Sequence, residues 1–323
     1  RACMEACPVF IEHVPKIVEM RRFQVMNLGD YPETMQEALQ SLESRGHPFR
    51  GAAASRLDWC EGLDVPLVRD LGSADEVDYL FWVGCAASYD ERNQKIARAT
   101  ATLLQRAGVS FAILGPEERC TADPARRMGN EYLFETTARE NIALLDSYHV
   151  TKIVTLCPHC FNTLGNEYSQ FGGRYQVIHH SQLISQLLAE GRLRVTAGHE
   201  AELGQVTYHD PCYLGRYNGE FTAPRSALRA AGAQLIEMER HGSNSFCCGA
   251  GGGRMWGEEE PGQRVNHERA RQALATGAGC VGTACPFCMT MMEDGVKAQA
   301  APEEETAVTV LDVAEIVERA TRA

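Results

Sequence analysis

The chain has 323 residues, of which 44% are hydrophobic and 23% are charged, a balance typical of globular proteins with buried cores. This length leaves room for two or three domains. The net charge of −12 argues against a nucleic-acid partner, because neutralising phosphates requires a basic surface. No apolar run approaches the ~20 residues that a membrane-spanning helix needs.

Two cysteines near the start have a spacing typical of bacterial ferredoxins. Cys3 and Cys7, followed by Pro8, match the third and fourth cysteines of the run C-x2-C-x2-C-x3-C-P. In two-cluster ferredoxins the fourth cysteine binds the other cluster, so we expect this pair to be a remnant of two ferredoxin-type sites. Their partner cysteines would precede residue 1, which indicates a fragment of a longer protein. A chance pair at a helix start is the alternative.

Residues 1–77 form the first predicted unit, a ferredoxin remnant plus linker. Apolar spacing predicts helices over 14–24 and 33–44, with a loop over 46–55. Cys60 lies in a short apolar island and is interpreted as a packed thiol. A boundary is expected at 72–75.

Two further units, 78–200 and 201–323, show the same alternation of strands and helices. The first has predicted strands at 77–83, 110–114, 152–156 and 175–178, and helices at 93–107, 131–148 and 182–189. The second has strands at 205–208, 234–238, 280–283 and 308–311, and helices at 224–231, 266–275 and 313–320. Such alternation predicts an α/β fold of parallel βαβ units with helices on both sheet faces.

Nine of the thirteen cysteines form two sets that repeat at an offset of 127 or 128 residues. The first set is Cys85, Cys120, Cys157 and Cys160. The second set is Cys212, Cys247, Cys248, Cys285 and Cys288. Repetition at a fixed offset indicates duplicated structural units. Sulfur ligands gathered after strand ends suit iron–sulfur clusters or zinc.

Three other uses of these cysteines are open on the residues alone. Zinc takes four ligands, which fits the five-cysteine set poorly. A thioredoxin-like site is suggested by Cys157-Pro-His-Cys160, which follows a strand and opens a helix, but the duplicate at Cys285 argues against it. Disulfides in a secreted protein are disfavoured by the size of the chain.

The pattern C-x34-C-C-G-x35-C-P-x-C, from Cys212 to Cys288, resembles the cysteine-rich CCG domain. That domain occurs twice in heterodisulfide reductase subunits, in glycolate-oxidase and lactate-utilisation subunits, and in membrane oxidoreductases linked to electron-transfer flavoprotein. The resemblance covers about residues 78–323. It implies that the five cysteines of the second set hold a non-cubane 4Fe–4S cluster. The first set departs from the pattern at Thr121, and its four cysteines imply a cubane 4Fe–4S cluster.

Residues 120–127 resemble the flavoprotein-linked branch, which implies electron transfer from a flavin donor towards a quinone. FAD is then expected only on a partner, either electron-transfer flavoprotein or a dehydrogenase. The resemblance also implies a membrane domain in the full-length protein and a location at the cytoplasmic face of the membrane. The alternatives are a heterodisulfide or disulfide reductase with the second cluster as its catalytic site, and a zinc-stabilised binding module.

Other features have less specific interpretations. The glycine-rich stretch 249–253 is expected to bring backbone amides close to cluster sulfur. His209 is interpreted as a hydrogen-bonded structural histidine, although a proton-gating role is open, and the roles of His179 and His180 stay undetermined. Cys280 is expected to be a buried thiol. The acidic runs 258–260 and 303–305 are interpreted as solvated loops.

Overall fold

The computed structural model describes residues 1–196, 204–257, 262, 264–299 and 308–322. Within these residues the chain forms two separate four-stranded parallel sheets, preceded by a helical N-terminal segment. The acidic runs 258–260 and 303–305 lie outside the described residues.

The N-terminal segment is helical, as its apolar spacing predicts. It contains α1 (Ala2–Glu5), α2 (His13–Arg22) with a π-helical continuation (Phe23–Leu28), α3 (Glu33–Arg45), a 3-10 helix (Ala53–Cys60), α4 (Val68–Leu71) and a 3-10 turn (Ala74–Glu76). Helix α3 ends at Gly46, whose φ of 78° is the left-handed conformation that commonly terminates helices.

The first repeat forms a parallel sheet with the strand order β2-β1-β3-β4. Its strands are β1 (Tyr79–Trp82), β2 (Phe111–Ala112), β3 (Lys152–Thr155) and β4 (Gln176–His179). Its helices are α5 (Cys85–Tyr89), α6 (Glu91–Arg106), α7 (Asp123–Met128), α8 (Glu131–Ser147), α9 (Pro158–Asn162) and α10 (His180–Ala189), with short 3-10 and π segments at Gly115–Glu117, Thr163–Glu167 and Tyr168–Phe171.

The second repeat has the equivalent order β6-β5-β7-β8, so the prediction of duplicated parallel α/β units is confirmed. Its strands are β5 (Gln205–Tyr208), β6 (Gln234–Ile236), β7 (Cys280–Thr283) and β8 (Thr309–Asp312). Its described helices are α11 (Gly215–Asn218), α12 (Thr222–Ala230), α13 (Val265–Leu274), α14 (Pro286–Lys297) and α15 (Val313–Ala320), with 3-10 turns at Gly242–Asn244 and Arg254–Trp256.

Burial on both faces explains why the central strands are continuously apolar. In β1, Phe81 and Trp82 are completely buried, and in β7 every residue is buried. Alternation of apolar and polar residues is expected only where one face of a sheet meets water. Covering helices on both faces therefore match the sequence of these strands.

The two repeats contact each other through reciprocal helix pairs. Helix α10 packs on α12, and α15 packs on α6, which is the arrangement that an approximate two-fold axis produces. Arg92 of α6 makes a bidentate ion pair with Glu315 of α15, at 3.0 and 2.9 Å. At the centre of the contact, His180 Nε2 lies 2.7 Å from Asp312 Oδ1, and both side chains are fully buried.

We expect His180→Ala to destabilise the chain by about 3 kcal/mol or more, because it leaves the buried Asp312 carboxylate without its partner. The control is Gln182→Ala on the same helix, which removes a partly exposed hydrogen bond to Glu220 across the same contact and the hydrogen bond from the His179 N–H that caps α10. Together these losses should amount to about 2 kcal/mol. Urea unfolding of the metal-free chain measures both values. Equal effects of the two substitutions would contradict the role of the buried pair.

Candidate metal centres

The carboxyl ends of neighbouring parallel strands bring the cysteines together. In the first repeat β1 pairs with β3 at Trp82 and Thr155, so the residues that follow these strands lie side by side. Cys85 begins α5, and Cys157 is the N-cap of α9. The second repeat pairs β5 with β7 in the same way, and Cys285 is the N-cap of α14. A helix N-terminus favours thiolate, so the helix starts at both Cys-x-x-Cys motifs suit metal-binding sulfur.

All four cysteines of the first set line one buried cavity. The Sγ atoms of Cys85 and Cys120 are 3.6 Å apart, and the Cys157 and Cys160 side chains contact each other. Gly84 adopts a φ of 79°, and a Cβ at this position would lie 3.4 Å from Cys160 Sγ. The glycine thus leaves room beside the sulfurs.

The five cysteines of the second set also converge. The Sγ atoms of Cys248 and Cys288 are 3.4 Å apart, and these thiols contact Cys247 and Cys285 respectively. Cys212 interacts electrostatically with Cys248 and Cys285. Three members are buried, whereas Cys212 and Cys247 are partly exposed. The second set therefore reaches the protein surface and the first does not.

The two sets differ where the second has adjacent cysteines. Thr121 follows Cys120, is buried, and lies with its Oγ1 3.9 Å from Cys160 Sγ. A hydroxyl thus occupies the place that corresponds to a fifth thiol in the second set. Hydroxyl oxygen is a much poorer ligand for iron than thiolate sulfur.

Neighbouring thiols stabilise one thiolate in each set. A hydrogen bond from Cys120 lowers the pKa of Cys85, in opposition to its burial. Hydrogen bonds from Cys247 and Cys288, supplemented by His209, hold the pKa of Cys248 well below its ordinary value. In each set, one sulfur is therefore shifted towards the thiolate form that metals and clusters bind.

Backbone amides of the glycine-rich stretch 249–253 approach the second set, as expected. The Gly249 N–H donates to Cys247 Sγ at 3.3 Å. A Cβ at Gly251 would lie 3.9 Å from Cys212 Sγ. Arg21 of α2 holds the loop by donating to the carbonyl oxygen of Gly252. Hydrogen bonds to cluster sulfur are one means by which proteins tune reduction potentials.

The other histidines and cysteines singled out in the sequence are placed outside the two sets, except His209. His209 has a ring nitrogen within 4.8 Å of the sulfurs of Cys248 and Cys288. His179 hydrogen bonds to Ser181 and the backbone. His180 contacts Asp312. Cys60 donates to the carbonyl oxygen of Leu57, and Cys280 is a buried thiol on β7, so both are packed thiols as expected.

Cys3 and Cys7 do not join either set, although Cys3 lies on the side of the second. The N-terminal amino group of Arg1 interacts electrostatically with Cys3, Cys212 and Cys247. The Arg1 guanidinium also lies 4.5 Å from the ring centroid of Tyr217. The ferredoxin-like end of the chain is therefore next to the exposed edge of the second set.

His159, within the first Cys-x-x-Cys, joins the two sites and was not singled out from the sequence. Its ring stacks on Tyr213 at 4.0 Å and meets Phe287 edge-on at 5.0 Å; these residues belong to motifs of the second set. His159 Nδ1 lies 2.7 Å from Asp123 Oδ2. Although burial acts in the opposite direction, Arg127 and His159 lower the pKa of Asp123 to about 2. The only sequence signal was the position of His159 between two cysteines.

The donors present fit iron–sulfur clusters better than a thioredoxin-like pair. Each site is made of converging sulfur atoms, the ligands that iron–sulfur clusters take. A redox-active pair of the thioredoxin kind requires an accessible sulfur, whereas Cys157 and Cys160 are both buried beside Cys85 and Cys120. Among the described residues, every helix is too short or too polar to span a membrane.

Known proteins resemble this chain over almost its whole length. The CCG cysteine-rich domain matches residues 79–165 and 206–293. An EtfAB:quinone oxidoreductase of Syntrophomonas wolfei is 46% identical, over 99% of this chain and 45% of its own length. The probable iron–sulfur-binding oxidoreductase FadF of Bacillus subtilis is 44% identical, over 98% of this chain and 45% of its own length. This chain thus spans slightly less than half of these relatives.

A methanogen enzyme and a solved structure are more distantly similar to this chain. One subunit of the dihydromethanophenazine:CoB–CoM heterodisulfide reductase of Methanosarcina barkeri is 31% identical, over 98% of this chain and 75% of its own length. A hypothetical protein from Helicobacter pylori shares the fold, with a TM-score of 0.55 at 10% identity over 94% of this chain and 57% of its own. The sequence resemblance is thereby confirmed: this chain belongs to the family of iron–sulfur oxidoreductases built on paired CCG cysteine-rich domains.

Proposed function

We propose that this chain carries electrons from a flavoprotein donor towards a quinone, through clusters held by its two cysteine sets. The names of its relatives, EtfAB:quinone oxidoreductase among them, support this direction of transfer. An iron–sulfur cluster, when bound, accepts and releases electrons at a potential that its surroundings set. The protein supplies position, burial and hydrogen bonds.

The observation that carries the proposal is the direct contact between the two sites through His159. Residues of the second set's motif, Pro286 and Phe287, line the cavity of the first set. The His159 ring fills the space between Phe287 and Tyr213. Two clusters placed so close suit electron relay, whereas two independent structural sites would need no such contact.

The second set is the point of electron exchange with other modules. The Arg1 amino group interacts electrostatically with the ferredoxin-like residue Cys3 and with the partly exposed Cys212 and Cys247, whereas the first set is enclosed. Cys3 and Cys7, as parts of ferredoxin-type sites, would extend the relay on that side. FAD resides on the partner flavoprotein. A relative from Chromohalobacter salexigens, named a probable membrane-anchored ferredoxin, supports a membrane domain in the full-length protein. The cytoplasmic face of the membrane is the location that we propose for this chain.

The two sites hold different clusters. Four thiols without a fifth sulfur suit a cubane 4Fe–4S cluster on Cys85, Cys120, Cys157 and Cys160. Five thiols suit the non-cubane type on Cys212, Cys247, Cys248, Cys285 and Cys288. Residues 78–200 and 201–323 then act as two cluster-binding domains behind the N-terminal unit 1–77.

Cys212→Ser should remove about four iron atoms per chain, one 4Fe–4S cluster, because it takes a thiolate from the exposed edge of the second set. Iron and acid-labile sulfide are measured after anaerobic reconstitution. Cys280→Ser is the control, since Cys280 is a buried cysteine in the same repeat but outside the set. Unchanged iron in Cys212→Ser would refute its role as a ligand, and bound zinc in place of iron would favour the binding-module alternative.

Cys248→Thr should make the second site resemble the first, because it reproduces the Cys120-Thr121 pair. In the parent chain, electron paramagnetic resonance of the anaerobically reconstituted protein should show two distinct signals. In the variant, the signal assigned to the five-cysteine site should be replaced by one of the cubane type. A single uniform signal in the parent that Cys248→Thr leaves unchanged would end the distinction between the sites.

Reduced electron-transfer flavoprotein should reduce the clusters of the reconstituted chain. Stopped-flow mixing should show this as a loss of the visible absorbance of the clusters. A heterodisulfide added afterwards should not restore the absorbance, because the proposed acceptor is a quinone. The Cys212→Ser variant should show a smaller amplitude of bleaching, because it lacks the second cluster. Rapid reoxidation by the heterodisulfide, with release of two thiols, would favour the reductase alternative.

A further inference from the structure

Arg269 of α13 is a buried cation whose hydrogen bonds, within the described residues, all go to neutral groups. It is 0% exposed, and its guanidinium donates to His209 Nδ1 at 3.0 Å and to Ser245 Oγ at 3.2 Å. Its other hydrogen bonds go to the Arg240 carbonyl oxygen at 2.8 Å and to Gln272 Oε1 at 3.0 Å. Among the described residues, no carboxylate accepts from this arginine. Burying an unpaired charge is costly, so its retention calls for a compensating anion.

The acid that most attracts Arg269 is already paired. Asp210 is bound by Arg225 through two hydrogen bonds of 2.6 and 2.9 Å, and it also accepts from the Gly242 N–H. Burial lowers the pKa of Arg269 to about 10, against the attraction of Asp210 and the Cys248 and Cys288 sulfurs. The side chain therefore keeps its charge at neutral pH, and among the described residues the sulfurs of the second set are the other groups of negative charge that attract it.

His209 connects this cation to the sulfur atoms. A guanidinium can only donate, so Nδ1 of His209 must be the unprotonated, accepting nitrogen. The proton of the neutral ring is then on Nε2, and His209 hydrogen bonds to Cys248. The order Arg269, His209, Cys248 thus directs positive charge at one sulfur of the second set.

The first repeat has neutral residues at the equivalent places. At the cysteine offset of 127, His209 corresponds to Trp82. At the offset of 128, Arg269 corresponds to Asn141, and the buried faces of the two helices match at four positions. These matched residues are Ala138, Asn141, Ile142 and Leu145 in α8, and Asn266, Arg269, Ala270 and Ala273 in α13.

The charges close to the first set are paired with one another. Arg56 and Glu118 form a buried ion pair at 2.7 Å, and Glu118 also accepts from the Gly84 N–H. Asp123 pairs with Arg127 at 2.8 Å. Ser245 stands at the position of Glu118 in the second repeat, so the carboxylate that neutralises Arg56 has no counterpart beside Arg269.

We propose that Arg269 is a positioning residue that, through His209, raises the reduction potential of the second site above that of the first. The inference rests on the proposed cluster-binding function. An unneutralised cation stabilises the more negative, reduced state of any cluster on these sulfurs, as net charge and hydrogen bonding to sulfur are known to do. Arg216, which donates to backbone oxygens of Ser243 and Ser245 and attracts Cys212, acts in the same direction. Electrons are thereby held at the exposed site.

The test is a potentiometric titration of the anaerobically reconstituted chain, followed by electron paramagnetic resonance. Arg269→Gln should change the ratio of oxidised to reduced second site at least tenfold towards the oxidised form, about 59 mV for a one-electron couple. The first-site midpoint should stay unchanged. Arg269→Lys, which keeps the charge, should shift the second-site midpoint less. Arg271→Gln, an exposed position on the same helix, should leave both midpoints unchanged.

Each outcome separates this inference from the proposed function. An unchanged second-site midpoint in Arg269→Gln would overturn the role of Arg269 while the clusters themselves remain. Equal shifts in Arg269→Gln and Arg269→Lys would show that geometry, not charge, sets the potential, and would also overturn it. A parent chain that binds no iron, or whose clusters take up no electrons, would instead refute the proposed function.

Ser245→Asp keeps the inference testable if Arg269→Gln does not fold. The new carboxylate would stand beside Arg269 and neutralise it, as Glu118 does Arg56 in the first repeat. We expect the second-site midpoint to fall in this variant as well. An unchanged midpoint, with near-ultraviolet circular dichroism like that of the parent, would overturn the inference.

Discussion

In each sheet the two central strands pair in parallel, and the position of every cysteine set depends on that pairing. Because β1 and β3 run in the same direction with Trp82 opposite Thr155, the chain leaves both strands at one edge. A Cys-x-x-Cys motif at the start of a helix then lies beside a cysteine from the neighbouring strand end. Antiparallel pairing would send the two segments to opposite edges. The direction of the strands thus determines where the cysteines meet.

The contact between repeats adds a second level of organisation. Reciprocal packing of α10 on α12 and of α15 on α6 brings the two sheets together, with His180 and Asp312 buried at the centre. The same contact places the His159 ring against Tyr213 and Phe287. A disturbance of the interface therefore acts on the approach of the two sites, not only on stability. The duplication provides more than two copies of one site, because it creates a junction that neither copy has alone.

Local periodicity and spacing were enough to predict most of the fold. The strands at 205–208 and 280–283 were predicted at their observed bounds, because they are short apolar runs that end at cysteine motifs. The short helix α5 was missed, since Cys85–Tyr89 is too brief to show a period. The sequence pattern had suggested that the cysteines directly follow strand ends, but Cys120 and Cys248 do not. Each lies further along a loop that returns to the sheet edge.

Long-range contacts were beyond the reach of the sequence pattern. Arg269 stands in a helix rich in charged residues, and nothing local separates it from the exposed Arg271 two positions later. Burial of one and exposure of the other is decided by the sheet beneath α13. Comparison with Asn141 at the repeat offset was the available signal, since two aligned buried positions of different charge mark a difference between otherwise similar sites. The packing of His159 across the repeats had no such signal.

Partial exposure of Cys212 and Cys247 affects how readily the second set is oxidised in air. Sulfurs bound to iron are thiolates, so accessibility, more than acidity, decides which of them an oxidant reaches first. Oxidation then begins at the exposed edge of the second set, while the enclosed sulfurs of the first set are protected by the surrounding side chains. A module docked on that edge would shield these sulfurs from oxygen.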